Sequence, residues 1–192
     1  RHRPRSIAST DSGRVTVTAR RRIDAPNRDA ELLGVVAVSD EQTDASADLP
    51  AGVTIETATP DDTLDVVRVL DAAMLQTDLD DLTARITDGA VECARFDRTG
   101  AVIGAVVTRR RDDETLHIDA LAVRRARREN GIGSALVGRI VAAGAADEAV
   151  SWVTAGFDSD VEPFYRACGF VIAVGDDGRC VGRRRVTGDA HA

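Results

Sequence analysis

Lysine is missing from this chain of 192 residues, although the chain carries 25 arginines. A phosphate loop of the Gly-x-x-x-x-Gly-Lys-Ser/Thr kind is therefore excluded. Cysteine is scarce. Cys93, Cys168 and Cys180 are odd in number and lack metal-ligand spacing. They argue against a disulfide framework and against a metal site, and they suit a reducing cytoplasm. Aromatic residues make up only 3%, too few for a base-stacking surface, so no nucleic-acid partner is expected. No apolar stretch approaches a membrane span and no signal peptide opens the sequence, so no membrane partner is expected either. The first residue is Arg1 rather than Met, as in a fragment or a misassigned start.

What is abundant is acid. Net charge is −7, and 24 aspartates stand against 8 glutamates. Two readings stay open. Strong negative charge keeps a protein soluble at high salt, as in a halophilic archaeon; a GC-rich codon bias that favours Arg over Lys accounts for part of the same composition. The charge is also uneven. Residues 1–28 hold eight arginines and two aspartates, whereas residues 29–50 hold six acids and no arginine. Residues 1–50 are read as a loosely packed extension, with strand-like runs at Arg14–Thr18 and Leu32–Val38 and an acidic linker from Ser39 to Gly52. The length then allows one domain over residues 51–186 and a short tail, 187–192.

Within that domain the order of elements is legible. Val53–Ala58 alternates as a strand. Thr59-Pro60-Asp61-Asp62 starts a helix, whose apolar positions are Leu64, Val67, Leu70 and Met74. A second helical segment carries Leu79, Leu82 and Ile86 and stops at Asp88-Gly89. Ala90–Phe96 and Ala101–Thr108 form a hairpin around Asp97–Gly100. A charged turn, Arg109–Glu114, leads to a strand over 115–123. Ser134–Ala146 reads as a helix, Ala149–Thr154 as a strand, Val161–Cys168 as a helix, and Gly169–Val174 as a turn and strand. Arg179–Val186 supplies a last strand.

The most informative stretch follows the strand at 115–123. Val123-Arg124-Arg125-Ala126-Arg127-Arg128-Glu129-Asn130-Gly131-Ile132-Gly133-Ser134 is a cationic, glycine-bearing turn between a strand and a helix. Glycine lets the backbone press close to an anion, and the helix start adds unpaired N–H groups and the positive dipole end. A dinucleotide fingerprint would need Gly or Ala where Leu136 stands. Val123, Arg128, Gly131 and Gly133 instead resemble the Val-x-Pro-x-x-Arg/Gln-x-x-Gly-x-Gly/Ala motif of the GCN5-related N-acetyltransferases (GNAT), with Arg125 in place of the proline. Glu162-Pro163-Phe164-Tyr165-Arg166-Ala167-Cys168-Gly169-Phe170 resembles a second motif of that family, with Asp158 where the family carries asparagine.

The resemblance implies an α/β fold, a central mixed sheet with helices on both faces. It implies transfer of an acetyl group from acetyl-CoA to a primary amine, on a small molecule or a protein; a non-catalytic acyl-CoA-binding or regulatory module is the alternative. The backbone of Leu121, Ala122 and Val123 would pair with the pantetheine arm, and the amide of Val123 would stabilise the oxyanion. Arg128, Glu129, Asn130, Gly131, Ile132, Gly133 and Ser134 would hold the pyrophosphate. Of the cations Arg124, Arg125, Arg127 and Arg128, one or two are expected to reach the cofactor, and Arg109-Arg110-Arg111 reads as an exposed hairpin tip. Tyr165, the sole tyrosine, would protonate the leaving thiolate, since a phenol of pKa about 10 can donate to it. A half-buried structural tyrosine is the other reading.

His117 is the one histidine inside the domain. Strand alternation would place His117, Asp119, Leu121 and Val123 on one face, opposite Leu116, Ile118, Ala120 and Ala122. His117 or Asp119 would take the amine's proton, with an imidazole pKa near 6.5 raised somewhat by a neighbouring carboxylate. A histidine satisfied by the backbone is equally compatible. Homodimers are frequent in the family, so a homodimer is a further expectation.

Overall fold

The computed structural model describes residues 49–75, 78–175 and 178–186. The strand-like runs Arg14–Thr18 and Leu32–Val38, and nearly all of the expected extension and tail, lie outside these residues. The described chain forms one seven-stranded sheet: β1 (Val53–Thr57), β2 (Val91–Phe96), β3 (Ala101–Asp112), β4 (Thr115–Val123), β5 (Trp152–Asp158), β6 (Val171–Val174) and β7 (Arg179–Arg185). The spatial order is β1-β2-β3-β4-β5-β7-β6. All neighbours are antiparallel except β4 and β5, which are parallel because α3 (Ile132–Ala145) crosses over between them.

Helices cover both faces, and each face has its own core. On one face α3 and α4 (Glu162–Ala167) pack over Val106, Ile118, Leu121, Val153 and Phe157. On the other, α1 (Thr63–Asp71) and α2 (Leu79–Thr87) pack over Val91, Val102, Ala105, Val107 and Ala122. The expected helix start at Thr59-Pro60 forms a 3-10 turn, Pro60–Asp62, and α1 itself begins at Thr63. The Asp62 carboxylate accepts from both the amide and the hydroxyl of Thr59 at 2.9 Å. The Asp78 carboxylate accepts from the amides of Asp80 and Asp81. The apolar stripe of α1 sits one position over from the expected one: Val66, Val69 and Leu70 are buried, while Leu64 is 64% and Met74 59% exposed.

Several boundaries differ from the sequence reading. β5 begins at Trp152 and runs to Asp158, and a 3-10 turn, Ser159–Val161, then precedes α4. β3 continues through Arg109, Arg110 and Arg111, so these arginines are strand residues rather than a hairpin tip. Arg109 lies 3.0 Å and Arg110 2.5 Å from the carboxylates of Asp119 and Asp147, which holds the strand in place of a turn. Among the described residues no helix is long and apolar enough to cross a membrane.

Close packing behind the sheet depends on small residues. A Cβ on Gly104 would meet Leu136 at 3.1 Å, and one on Gly182 would meet Phe157 at 2.9 Å and Phe170 at 3.1 Å. Glycine at these two strand positions lets α3 and the Phe157–Phe170 cluster sit directly on the sheet.

Candidate active site at the split between β4 and β5

Parallel pairing between β4 and β5 covers only Thr115–Ile118 against Trp152–Ala155. Past Ile118 the strands part: β4 stays on β3 up to Val123 and β5 stays on β7 down to Asp158. The β4 edge from Asp119 to Val123 therefore faces no strand. The amide of Arg124 donates to Ile103 at 2.7 Å, so alternation along the antiparallel pair turns the amides of Leu121 and Val123 away from β3 and into the split.

The faces of β4 are not those that simple alternation gives. Thr108 pairs with Ile118 and Val107 with Ala120, leaving Asp119 as an extra residue. This bulge swaps the faces beyond it. Leu121 and Val123 lie with Leu116 and Ile118 on the α3–α4 side, and Ala120 and Ala122 lie on the α1–α2 side. His117 and Asp119 thus do not share a face with Leu121 and Val123.

The split opens onto the start of α3. Gly131 caps this helix at φ +75° and Glu129 also has positive φ, at 65°. No side chain caps the helix, and its first internal bond is Ala135 to Gly131, so the amides of Ile132, Gly133 and Ser134 have no partner within it. A Cβ on Gly133 would press on Phe164 at 3.2 Å. Cys168, at the C-terminal cap of α4, approaches the Ser134 hydroxyl at 3.8 Å, tying the two helices together at this point. A diphosphate fits such an uncapped, glycine-bearing start.

Two of the neighbouring cations are structural. Arg124 Nε donates to the Val102 carbonyl at 2.8 Å, and Arg127 stacks 4.3 Å from the centre of the Phe96 ring. Arg128 Nε donates to the Val123 carbonyl at 3.1 Å, which brings its guanidinium beside the end of β4.

His117 is buried, and its Nδ1 lies 2.8 Å from the Thr154 hydroxyl. Burial, with the charges of Arg111 and Arg109 nearby, pulls its pKa down to about 3. This reverses the expected direction. The Asp119 carboxylate is 3.8 Å away and is already engaged: Arg85 Nη1 donates to it at 2.6 Å and Arg109 approaches at 3.0 Å. Asp119 consequently bridges α2 and β3.

Tyr165 is buried on the α3–α4 side rather than half-buried. Its ring stacks on Phe157 at 4.1 Å and meets Phe164 and Phe170 edge-on. Burial raises its pKa well above the ordinary phenol range, so the hydroxyl keeps its proton throughout the physiological range. The hydroxyl can donate a hydrogen bond, but full transfer to a thiolate is harder than the unperturbed phenol suggests.

The profile of the acetyltransferase (GNAT) family matches residues 67–170, a span from α1 to the end of α4 and the turn after it. The chain belongs to the GNAT family. Its fold is shared with solved GNAT structures at low identity. Ard1 from Thermoplasma volcanium is 22% identical with a TM-score of 0.58, over 70% of this chain and 98% of that one. A GNAT acetyltransferase from Streptococcus pneumoniae is 16% identical with a TM-score of 0.57, over 70% and 99%. N-acetylglutamate synthase from Neisseria gonorrhoeae, solved with coenzyme A and N-acetyl-glutamate, is 18% identical with a TM-score of 0.59; the match covers 71% of this chain but only 36% of the synthase. No curated protein matches the sequence.

The GNAT motifs drew attention to β4, the α3 start and Tyr165, but not to Thr154, Trp152 or Arg183, which surround His117 on the uncovered face. Only the pairing of β4 with β5 and of β5 with β7 brings them together. An isolated hint existed, since Trp152, Thr154 and Gly156 alternate with the apolar Val153, Ala155 and Phe157.

Proposed function

We propose that this GNAT protein moves an acetyl group from acetyl-CoA to a primary amine by direct attack in a ternary complex. One observation carries the reading: the unpaired β4 edge at Asp119–Val123 leads straight to an uncapped helix start at Gly131. The first can receive an extended, amide-bearing arm as an added strand, and the second a diphosphate. In this reading Leu121, Ala122 and Val123 bind the arm, and Arg128, Glu129, Asn130, Gly131, Ile132, Gly133 and Ser134 bind the diphosphate. Bound acetyl-CoA supplies an activated acyl group, which the amine nitrogen takes up as the thiol leaves.

The chain's own groups then have separate tasks. The Val123 amide, aimed into the split, stabilises negative charge on the carbonyl oxygen. Tyr165 offers its hydroxyl proton to the departing sulfur. His117 is neutral and acts as an acceptor that orients the incoming amine or its water, assisted by Asp119. With its basicity suppressed, it positions the amine, which enters neutral after giving one proton to solvent. The second proton passes from the attacking nitrogen through water to the Tyr165 oxygen as Tyr165 protonates the sulfur. Holding both reactants in one slot supplies much of the remaining acceleration.

The engagement of Asp119 by two arginines favours one other reading, an acyl-CoA-binding or regulatory module without turnover. Release of free thiol from acetyl-CoA across a panel of amines, beside calorimetric titration of the cofactor, decides between them. Turnover that falls in Tyr165→Phe and His117→Ala supports the transferase. Tight binding with no thiol release supports the module, and absence of binding to intact protein removes both.

A further inference from the structure

The half of the sheet that α1 and α2 do not cover carries a group of arginines in an acidic chain. Pairing sets Arg109, His117, Thr154, Arg183 and Val171 side by side across β3, β4, β5, β7 and β6. The next row on that face is Asp112, Thr115, Trp152 and Arg185. Arg111 stands close enough to act on His117 by its charge. Arg109 and Arg179 are opposed by Asp119 and Asp158. Arg111, Arg183 and Arg185 form no ion pair among the described residues, in a protein of net charge −7. Nearby acids lie farther from the split: Asp112, Asp113 and Glu114 line a shallow pocket with Thr115, Trp152 and Arg183.

Arg183 is held in place by an aromatic ring. Its guanidinium lies 3.3 Å over the Trp152 ring, which fixes the plane and leaves the N–H edges for a carboxylate or phosphate. The row of His117 and Arg183 sits one rung from Ile118–Ala155, where the strands part. Two residues along a strand span about 7 Å. An amine nitrogen at the split would therefore leave Arg183 within reach of a group a few bonds away.

We propose that the acceptor is an amine bearing its own anionic group, a carboxylate or a phosphate, which Arg183 and Arg111 bind on the uncovered face beside His117. This rests on the acetyl-transfer reading above and names the substrate class of that site. The anion offsets the cations that the face exposes, and the amine end is delivered to the split. A neutral or polycationic amine gains nothing from this row and meets like charge there.

Trp152 is the only tryptophan in the chain, so its fluorescence reports on this face without requiring turnover. The full chain, saturated with CoA, is titrated at fixed ionic strength with β-alanine, O-phosphoethanolamine, β-alaninamide and propylamine; acetyl-CoA turnover is measured with the same four amines. A saturable Trp152 response to β-alanine or O-phosphoethanolamine is expected, at least tenfold tighter than for β-alaninamide or propylamine. Which of the two anions responds distinguishes carboxylate from phosphate. Arg183→Gln and Arg111→Gln are each expected to weaken that response, and any KM for the anionic amine, about tenfold or more, while calorimetric binding of acetyl-CoA is unchanged. Equal or weaker response to both anionic amines, or variants that affect all four amines alike, overturns the proposal. Loss of acetyl-CoA binding itself would instead strike the transferase reading, and a second copy of the chain on this face would appear as concentration-dependent quenching without added amine, also overturning it.

Discussion

His117 Nδ1 lies 2.8 Å from Thr154 Oγ1, across adjacent strands and one rung before those strands separate. This contact orients the ring at the mouth of the split. Thr154→Val keeps the volume and removes the partner, leaving a buried imidazole nitrogen unsatisfied. A loss of about 1–3 kcal/mol in urea unfolding is expected, with turnover reduced and acetyl-CoA affinity intact. Equal stability of variant and wild type would mean that the contact contributes nothing.

The suppressed basicity of His117 predicts a pH signature in folding. Its pKa is about 3 in the native state and about 6.5 unfolded, so the unfolded chain takes up the extra proton as pH falls. The stabilisation is fully present above about pH 6.5 and is lost progressively towards pH 3, by at most ~1.4 kcal/mol per pH unit. Urea unfolding at a series of pH values is expected to show a shallower decline for His117→Gln than for wild type. Parallel declines would refute the assignment.

These two residues also illustrate what the sequence could and could not convey. The turn start at Thr59, the strand over 115–123 and the glycine turn were legible because their causes are local. The Asp119 bulge was not, because nothing in Asp119 itself marks an inserted residue. It is set by how β3 pairs, and β3 was read as ending at Thr108 because Arg109–Glu114 has the composition of a turn. Partners outside the segment decide the matter: Asp119, on the next strand, and Asp147, after α3, draw the arginines into strand positions. The environment of His117 followed from the same long-range pairing, so its pKa direction was beyond local inference.

Tyr165→Phe preserves the stack on Phe157 and removes only a hydroxyl. Thermal stability is expected to change little and acetyl-CoA binding not at all, while turnover falls by about a hundredfold. Undiminished turnover would assign Tyr165 to the core alone.

Gly131 holds φ +75° at the start of α3, a conformation that costs other residues about 1–2 kcal/mol. Gly131→Ala should lower the melting temperature slightly and weaken acetyl-CoA binding in calorimetry by about tenfold. Unaltered affinity would mean that this amide cluster does not meet the diphosphate.

Gly182→Ala tests the packing behind the sheet, far from the amide cluster. Its new methyl would meet Phe157 at 2.9 Å. Overpacking of this kind is expected to cost about 1–3 kcal/mol in unfolding experiments while acetyl-CoA affinity stays within twofold. A neutral result would show that the aromatic cluster yields freely.

The parted strands have a thermodynamic corollary. The amides that face the opening belong to β4 and α3, both anchored in the core by Leu121, Ile132 and Leu136, so no loop has to become ordered when a ligand arrives. Pre-organisation of this kind keeps the entropic penalty of association small. It also couples the slot to global unfolding, so a bound thioester should protect the whole sheet against denaturant instead of one local segment.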